Sequence, residues 1–272
     1  MPKAQILLTN DDGIRSPGLW AAAAALSKLG FVTVAAPREQ SSGTGRSLPG
    51  TSDGLIQRET VTVNGQDWLV HAVGGTPAQA VQHGLLEILP QKPDLVVSGI
   101  NYGENVATGI TISGTVGAAM EAASVGIPAM AVSLETDKVH HLSYSTEVDF
   151  SVAAYFTEFF GRLILAHGLP PGLELLKVDV PADAQTDTPW EWTTLSKQRY
   201  YIPTRPERRS WDVPGKVGYE MQVDWEDEPT HTDIYTLLKK RHISVTPLTL
   251  DMTARVSAET LANFSKNGKP TR

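Results

Sequence analysis

Ile6-Leu7-Leu8-Thr9-Asn10-Asp11-Asp12-Gly13 is the stretch on which the fold of this chain turns. Three consecutive aliphatic side chains suit a short strand buried on both faces, and Asn-Asp-Asp-Gly breaks it into a polar turn at its carboxyl end. Pro17 then opens a helix that runs through an alanine-rich stretch to Leu29, Gly30 supplies its C-cap, and Phe31-Val32-Thr33-Val34-Ala35-Ala36 resumes an apolar strand. The unit is strand, helix, strand.

The same alternation continues outward from it. Residues 68–73 predict a strand, 76–89 a helix, 94–98 a strand, 114–125 a helix and 129–133 a strand, followed by a long helix over about 146–167 and a strand over 173–180. Alternation of this kind predicts an α/β fold: a mostly parallel sheet with helices on both faces. After Pro181 the pattern changes, because Trp190, Trp192, Tyr200, Tyr201, Trp211, Tyr219 and Trp225 fall among charges and prolines with no helical period. An antiparallel hairpin excursion is expected there, with exposed aromatic residues suited to an interface. Residues 243–248 read as a returning strand and 258–265 as a short terminal helix with a polar tail. The organisation expected is a catalytic core over 1–183 that includes the returning strand, a hairpin and oligomerisation excursion over 184–241, and a C-terminal arm over 249–272.

Composition narrows the function classes. The chain has 272 residues, 23 lysines and arginines against 30 acids, a formal charge of −7 and no cysteine. No general basic surface exists to neutralise a long nucleic acid, so no duplex partner is expected. Disulfide frameworks, thiolate zinc sites and thiol nucleophiles are excluded, and the cytoplasm is the expected compartment. The first residues lack the pattern of a signal peptide, and no run of about 18 apolar residues suggests a membrane partner.

Four polar segments follow strands at their carboxyl ends, where open α/β sheets bind ligands. Asp11 and Asp12 are adjacent, so either a cation sits beside them or a carboxyl pKa rises; the alternative is a turn in which Asp12 caps the next helix. The second segment, Pro37 to Ser47, offers hydroxyls, glycines and Arg38 and Arg46 to an oxyanion. Its Gly43-x-Gly45 does not complete a dinucleotide fingerprint, since Leu48 stands at the last glycine position. The third, Ser98 to Asn105, places Asn101 and Asn105 four apart; their carbonyls suit an oxygen-ligand metal shell and their amides a phosphate. The fourth, Thr111 to Gly117, begins a helix, where hydroxyls and free amides make an anion site or simply an N-cap. The seven histidines show no metal-ligand or nucleophile spacing, and no Gly-x-Ser-x-Gly elbow is present.

Together these segments resemble the SurE family. The resemblance rests on Leu7 to Gly13, Ala36-Pro37 through Ser42-Gly43, Gly75-Thr76-Pro77, Val96 to Asn101 with Gly103 and Asn105, Ser113 to Val116 with Ala118 to Glu121, and Ser244 to Leu248. It covers roughly residues 5–135 strongly. It implies a three-layer Rossmann-like core, a projecting β-hairpin, a C-terminal arm exchanged between subunits of a homodimer or homotetramer, and metal-dependent 5′/3′-nucleotidase activity. Carried over residue by residue, it implies one divalent cation per subunit, Mg²⁺ or Mn²⁺, held by Asp11, Asp12, Ser42 and Asn101. Asp11 and Asp12 are expected to be catalytic as well. Asn10, Ser41, Gly43, Asn105, Ser113, Gly114 and Thr115 are expected to contact the substrate, a nucleoside monophosphate, with short polyphosphate as a further substrate. This chain departs from the family pattern at His231-Thr232-Asp233, where Gly-Thr-Asp is usual, and at His242, where an aromatic is usual. Two competing readings are an aspartyl-phosphate phosphatase, which wants its aspartates two apart rather than adjacent, and a nucleotide or polyphosphate sensor without turnover.

Overall fold

Leu7 and its two neighbours divide the core. In the computed structural model, which describes residues 3–63, 65–141 and 143–267, Ile6 and Leu8 join one hydrophobic cluster and Leu7 another on the opposite face of the same strand. Successive side chains of a strand point to opposite faces, so a continuous apolar run feeds two cores at once. That strand, β1 (Ala4–Thr9), leads through α1 (Pro17–Leu26) to β2 (Gly30–Pro37). Next come β3 (Ile56–Val63), β4 (Gln66–Val73), α2 (Pro77–His83), β5 (Leu95–Tyr102), α3 (Gly114–Ser124), β6 (Ala129–Leu134), α4 (Ser151–His167) and β7 (Leu175–Val180). Beyond them lie β8 (Trp190–Trp192), β9 (Tyr201–Thr204), β10 (Gly218–Met221), β11 (Ile243–Leu248) and α5 (Ala258–Asn267).

Nine strands form one sheet in the order β3-β4-β2-β1-β5-β6-β7-β11-β8. The run from β4 to β7 is parallel, while β3 pairs antiparallel with β4 and β11 antiparallel with β7. Leu19 and Trp20 of α1 and Phe156 and Phe160 of α4 fill one face, and Val81 of α2 and Val116 and Ala118 of α3 fill the other. The fold is therefore the three-layer α/β arrangement expected. No helix among the described residues is long and apolar enough to cross a membrane.

Several elements differ from the sequence reading. The predicted helix over 76–89 is α2 followed by a wider turn at 84–88, and α4 begins at Ser151, five residues later than expected. Strand β3 was not foreseen, because Gln57, Arg58 and Glu59 mask its alternation. It is an edge strand, and charged side chains suit an edge that faces water. The stretch 184–241 divides: β9 and β10 form a separate hairpin, whereas Trp190–Trp192 pairs with β11 at the far edge of the main sheet. After β11, Thr249 donates to Glu174 at 2.7 Å, and residues 251–265 are exposed. The expected polar tail after α5 lies outside the described residues.

Candidate active site

The sheet order brings distant segments together. β1 lies between β2 and β5, all three parallel, so the loops leaving their carboxyl ends are neighbours. This is the point where the chain turns from one side of β1 to the other, and open α/β sheets bind ligands there. Asp11, Ser42, Gly43, Asn101, Asn105 and Ser113 line one cleft of about 460 Å³.

The first turn holds itself. The amide of Gly13 donates to Asn10 Oδ1 at 3.2 Å, and Asn10 Nδ2 returns a bond to the Gly13 carbonyl at 3.1 Å. Gly13 sits at φ 97°, a conformation glycine reaches without a Cβ penalty. Asn10, expected as a substrate contact, is fully buried with both functional groups used in this turn. Its work is to present the next two residues.

Asp11 and Asp12 are 4% and 1% exposed, and among the described residues no lysine, arginine or histidine forms an ion pair with either. The Thr115 hydroxyl donates to Asp11 Oδ1 at 2.5 Å, while the Tyr102 amide and Gln40 Nε2 each donate to Asp12 at 3.2 Å. Burial outweighs these donors. It pushes the Asp11 carboxyl up to about 6, against the opposing pull of Thr115 and the Gly114 amide. Burial together with the Asp11 charge pushes Asp12 well above the usual carboxylate range. Asp12 caps no helix: the N-cap of α1 is Ser16.

Helix α3 closes on Asp11 from behind. A Cβ added at Gly114 would lie 2.7 Å from the Asp11 Cβ, so only glycine lets the helix start this close. Its positive end, rather than a lysine, is what faces the carboxylate. Ser113 is the N-cap and accepts from the Val116 amide at 3.1 Å while still facing the cleft. Thr115 is fully buried. Of the three residues expected to hold phosphate here, Ser113 thus lines the cleft, whereas Gly114 and Thr115 stand against Asp11, since one carboxylate has taken the donors an anion would use.

Asn101 lies on the end of β5 rather than in a loop. Its Nδ2 donates to the carbonyls of Tyr102 at 3.1 Å and Gly103 at 2.6 Å, which leaves Oδ1 as the group available to a ligand. Ser42 is exposed at the same cleft. The Ser41 amide donates to the Asp11 carbonyl at 2.7 Å, so Ser41 braces the loop and lines a separate hollow with Arg38 and Asp53. Asn105 Nδ2 donates to Ser133 Oγ at 2.7 Å and its amide to Asp179 Oδ1 at 2.8 Å.

Beneath Asn105 lies a group that the sequence reading missed. Lys177, Asp179 and Asp233 are all fully buried, with Lys177 Nζ paired to Asp179 and 3.2 Å from Asp233. Burial opposes the Lys177 charge, but the two carboxylates outweigh it and hold its ammonium above the ordinary range. Asp233 also accepts from the amides of Ala107 at 2.8 Å and Ser196 at 2.9 Å, so this cluster ties the cleft loop to β7 and to the 184–241 stretch. The far wall of the cleft was missed too. It carries His141, Tyr201, Pro203 and Tyr219, and the only sequence signal for it was the aromatic density read as an interface.

A family model described as Survival protein SurE matches residues 6–202. The 5′-nucleotidase SurE of Thermococcus gammatolerans is 45% identical over 261 residues, covering 95% of each chain. That of Thermococcus kodakarensis is 44% identical, covering 94% of this chain and 96% of its own. A solved structure of the SurE protein from Aquifex aeolicus superposes with a TM-score of 0.73 at 31% identity, covering 96% of this chain and 99% of that one.

Proposed function

The chain belongs to the SurE family, and from that premise we propose that it hydrolyses nucleoside 5′-monophosphates with a divalent cation held by Asp11, Asp12, Ser42 and Asn101. The observation that carries the reading is the pair of buried carboxylates at the sheet's carboxyl edge, without a cationic partner among the described residues. Two such charges removed from water are unfavourable unless protons or a cation accompany them. The donor chemistry fits a hard divalent ion: two carboxylates, a hydroxyl and a carboxamide oxygen whose nitrogen is turned away onto backbone carbonyls. When bound, such an ion supplies Lewis acidity toward phosphate oxygens.

The chain's own residues do the rest. Asp12 orients the attacking water and receives its proton. Asn105 and Ser113 face the equatorial oxygens of the phosphate, where charge builds as the bond to phosphorus forms and the ester bond breaks. The products are inorganic phosphate and a nucleoside, whose 5′ oxygen takes a proton from solvent while Asp12 gives its own back to solvent. His141, whose burial lowers its imidazole pKa, enters as a neutral ring.

The same reading takes the exposed segment after β11, with Met252, Leu261 and Phe264, as an arm covered by a second copy of the chain in a dimer or tetramer. Phosphate release from a panel of nucleoside monophosphates and short polyphosphate, with Mg²⁺ or Mn²⁺ and then with EDTA, tests the activity. Release that survives exhaustive chelation overturns the metal assignment, and nucleotide binding with no release under any cation overturns turnover itself.

A further inference from the structure

The cleft that holds the oxygen-rich corner has a second end built of rings. Residues Tyr201 and Pro203 of β9 and Tyr219 of β10 lie on one face of the hairpin, since Tyr219 pairs with Pro203 and alternate residues share a face. Tyr219 stands edge-on to Tyr201 with centroids 5.4 Å apart, and His141 stacks on Tyr219 at 6.2 Å with 14° between the planes. All four residues line the cleft that Asp11, Ser42 and Asn101 line.

The polar atoms of this wall are already used. The Tyr201 hydroxyl donates to the Glu104 carbonyl at 2.6 Å, the Tyr219 hydroxyl and His141 Nδ1 are 2.8 Å apart, and His141 Nε2 lies 3.3 Å from the Thr136 carbonyl. What the wall offers a ligand is ring surface. Burial keeps both phenols protonated and the imidazole neutral, so these side chains bring planar surface without charge of their own, beside Lys138 Nζ at 4.6 Å from the Tyr219 ring centroid and Arg199 of the same cleft. The cleft's volume of about 460 Å³ falls within the roughly 300–1,000 Å³ of small-molecule sites.

Resting on the nucleotidase reading, we propose that the wall formed by Tyr201, Pro203, Tyr219 and His141 is the subsite for the nucleobase, and that the β9–β10 hairpin selects nucleotides over simple phosphate esters. Pro203 and Tyr219 lie beyond residues 6–202 that the family model matches. A phosphate seated at Ser113 and Asn105 would share one cleft with the wall, which puts ring surface within the same cavity as the organic part of its ester.

The test compares kcat/KM for adenosine 5′-monophosphate with that for ribose 5-phosphate, which lacks the base, in the cation-loaded protein. Loss of one stacking platform in Tyr219→Ala lowers the ratio of the two by about 10-fold, through KM for the nucleotide. Tyr219→Phe retains the ring and keeps the wild-type ratio, while Tyr219→Leu keeps bulk without a flat face and lowers it. A readout independent of turnover is saturation transfer by NMR from the metal-free protein to adenosine. It reaches the base protons with wild type and Tyr219→Phe and falls away with Tyr219→Ala and Tyr219→Leu. A ratio unmoved by Ala and Leu, or moved equally by Phe, overturns the subsite while leaving the nucleotidase reading intact. A wild-type protein that releases phosphate from neither ester overturns both.

Discussion

Two pairs of buried carboxylates lie in this molecule, and they are balanced in opposite ways. Asp179 and Asp233 share the buried ammonium of Lys177 and spend their remaining lone pairs on backbone amides of Asn105, Ala107 and Ser196. Asp11 and Asp12 receive a hydroxyl, an amide and a carboxamide but, among the described residues, no cationic side chain. The first pair is complete within the chain and joins segments. The second is left with excess negative charge, and burial raises its proton affinity in consequence. A chain that can bury a lysine against two aspartates in one place leaves a comparable pair, of which Asp11 lines the cleft, without a cationic side chain among the described residues.

Neutralising one member of each pair separates them. Asp11→Asn or Asp12→Asn lowers phosphate release from a nucleotide by on the order of 10³-fold or more, because the amide cannot supply the charge. The metal-free fold keeps its thermal midpoint or gains, since a repulsion is removed. Turnover close to wild type in either variant would end the assignment. Lys177→Met behaves in reverse at the other pair: it leaves two buried charges uncompensated and costs about 3 kcal/mol in urea unfolding. A variant as stable as wild type would mean that Asp179 and Asp233 are balanced by something else.

Cation binding sharpens the contrast further. A ligand that binds the folded state alone stabilises it by about 2.7 kcal/mol at one hundred times its Kd. Mg²⁺ or Mn²⁺ should therefore raise the melting temperature of wild type and of a surface variant alike, and leave Asp12→Asn unmoved. Equal shifts in wild type and Asp12→Asn would place the ion elsewhere.

Glu104 gives the smallest effect and a pH signature. It is a third buried acid beside the cleft, and burial pushes it up to about 7 although the Tyr200 hydroxyl donates to it at 2.6 Å. A carboxyl held above its unfolded value binds its proton more tightly in the folded state, so the cost of ionising it is absent below about pH 4.5 and complete above about pH 7. Over that window Glu104→Gln should gain stability relative to wild type, measured as the difference between the two unfolding curves at each pH. A difference that does not change with pH would show that Glu104 ionises freely.

Single positions separate what local chemistry decides from what folding decides. The strand, turn and acid pair at Ile6 to Gly13 were legible because local chemistry decides them: three aliphatic side chains bury, and Asn10 and Gly13 close a turn wherever that strand ends. The resemblance likewise reached Asp11, Asp12, Ser42 and Asn101 by type. Lys177 was not legible, because a single lysine inside Leu175–Val180 looks like a side chain turned to water until a neighbouring strand supplies its partners. Thr115 was expected to face phosphate and instead faces Asp11, a contact across 104 residues. Tyr201 and Tyr219 carried an aromatic signal without an address.

Periodicity and turn chemistry act over a few residues, so the chain alone determined its βαβ alternation, its two-faced core and the adjacency of two acids at a strand end. The placing of β1 between β2 and β5, the closing of α3 on Asp11, the burial of Lys177 and the turning of a hairpin face toward the cleft were decided by tertiary structure. Those depend on which strands become neighbours, and burial and charge balance are properties of neighbours in space rather than in sequence.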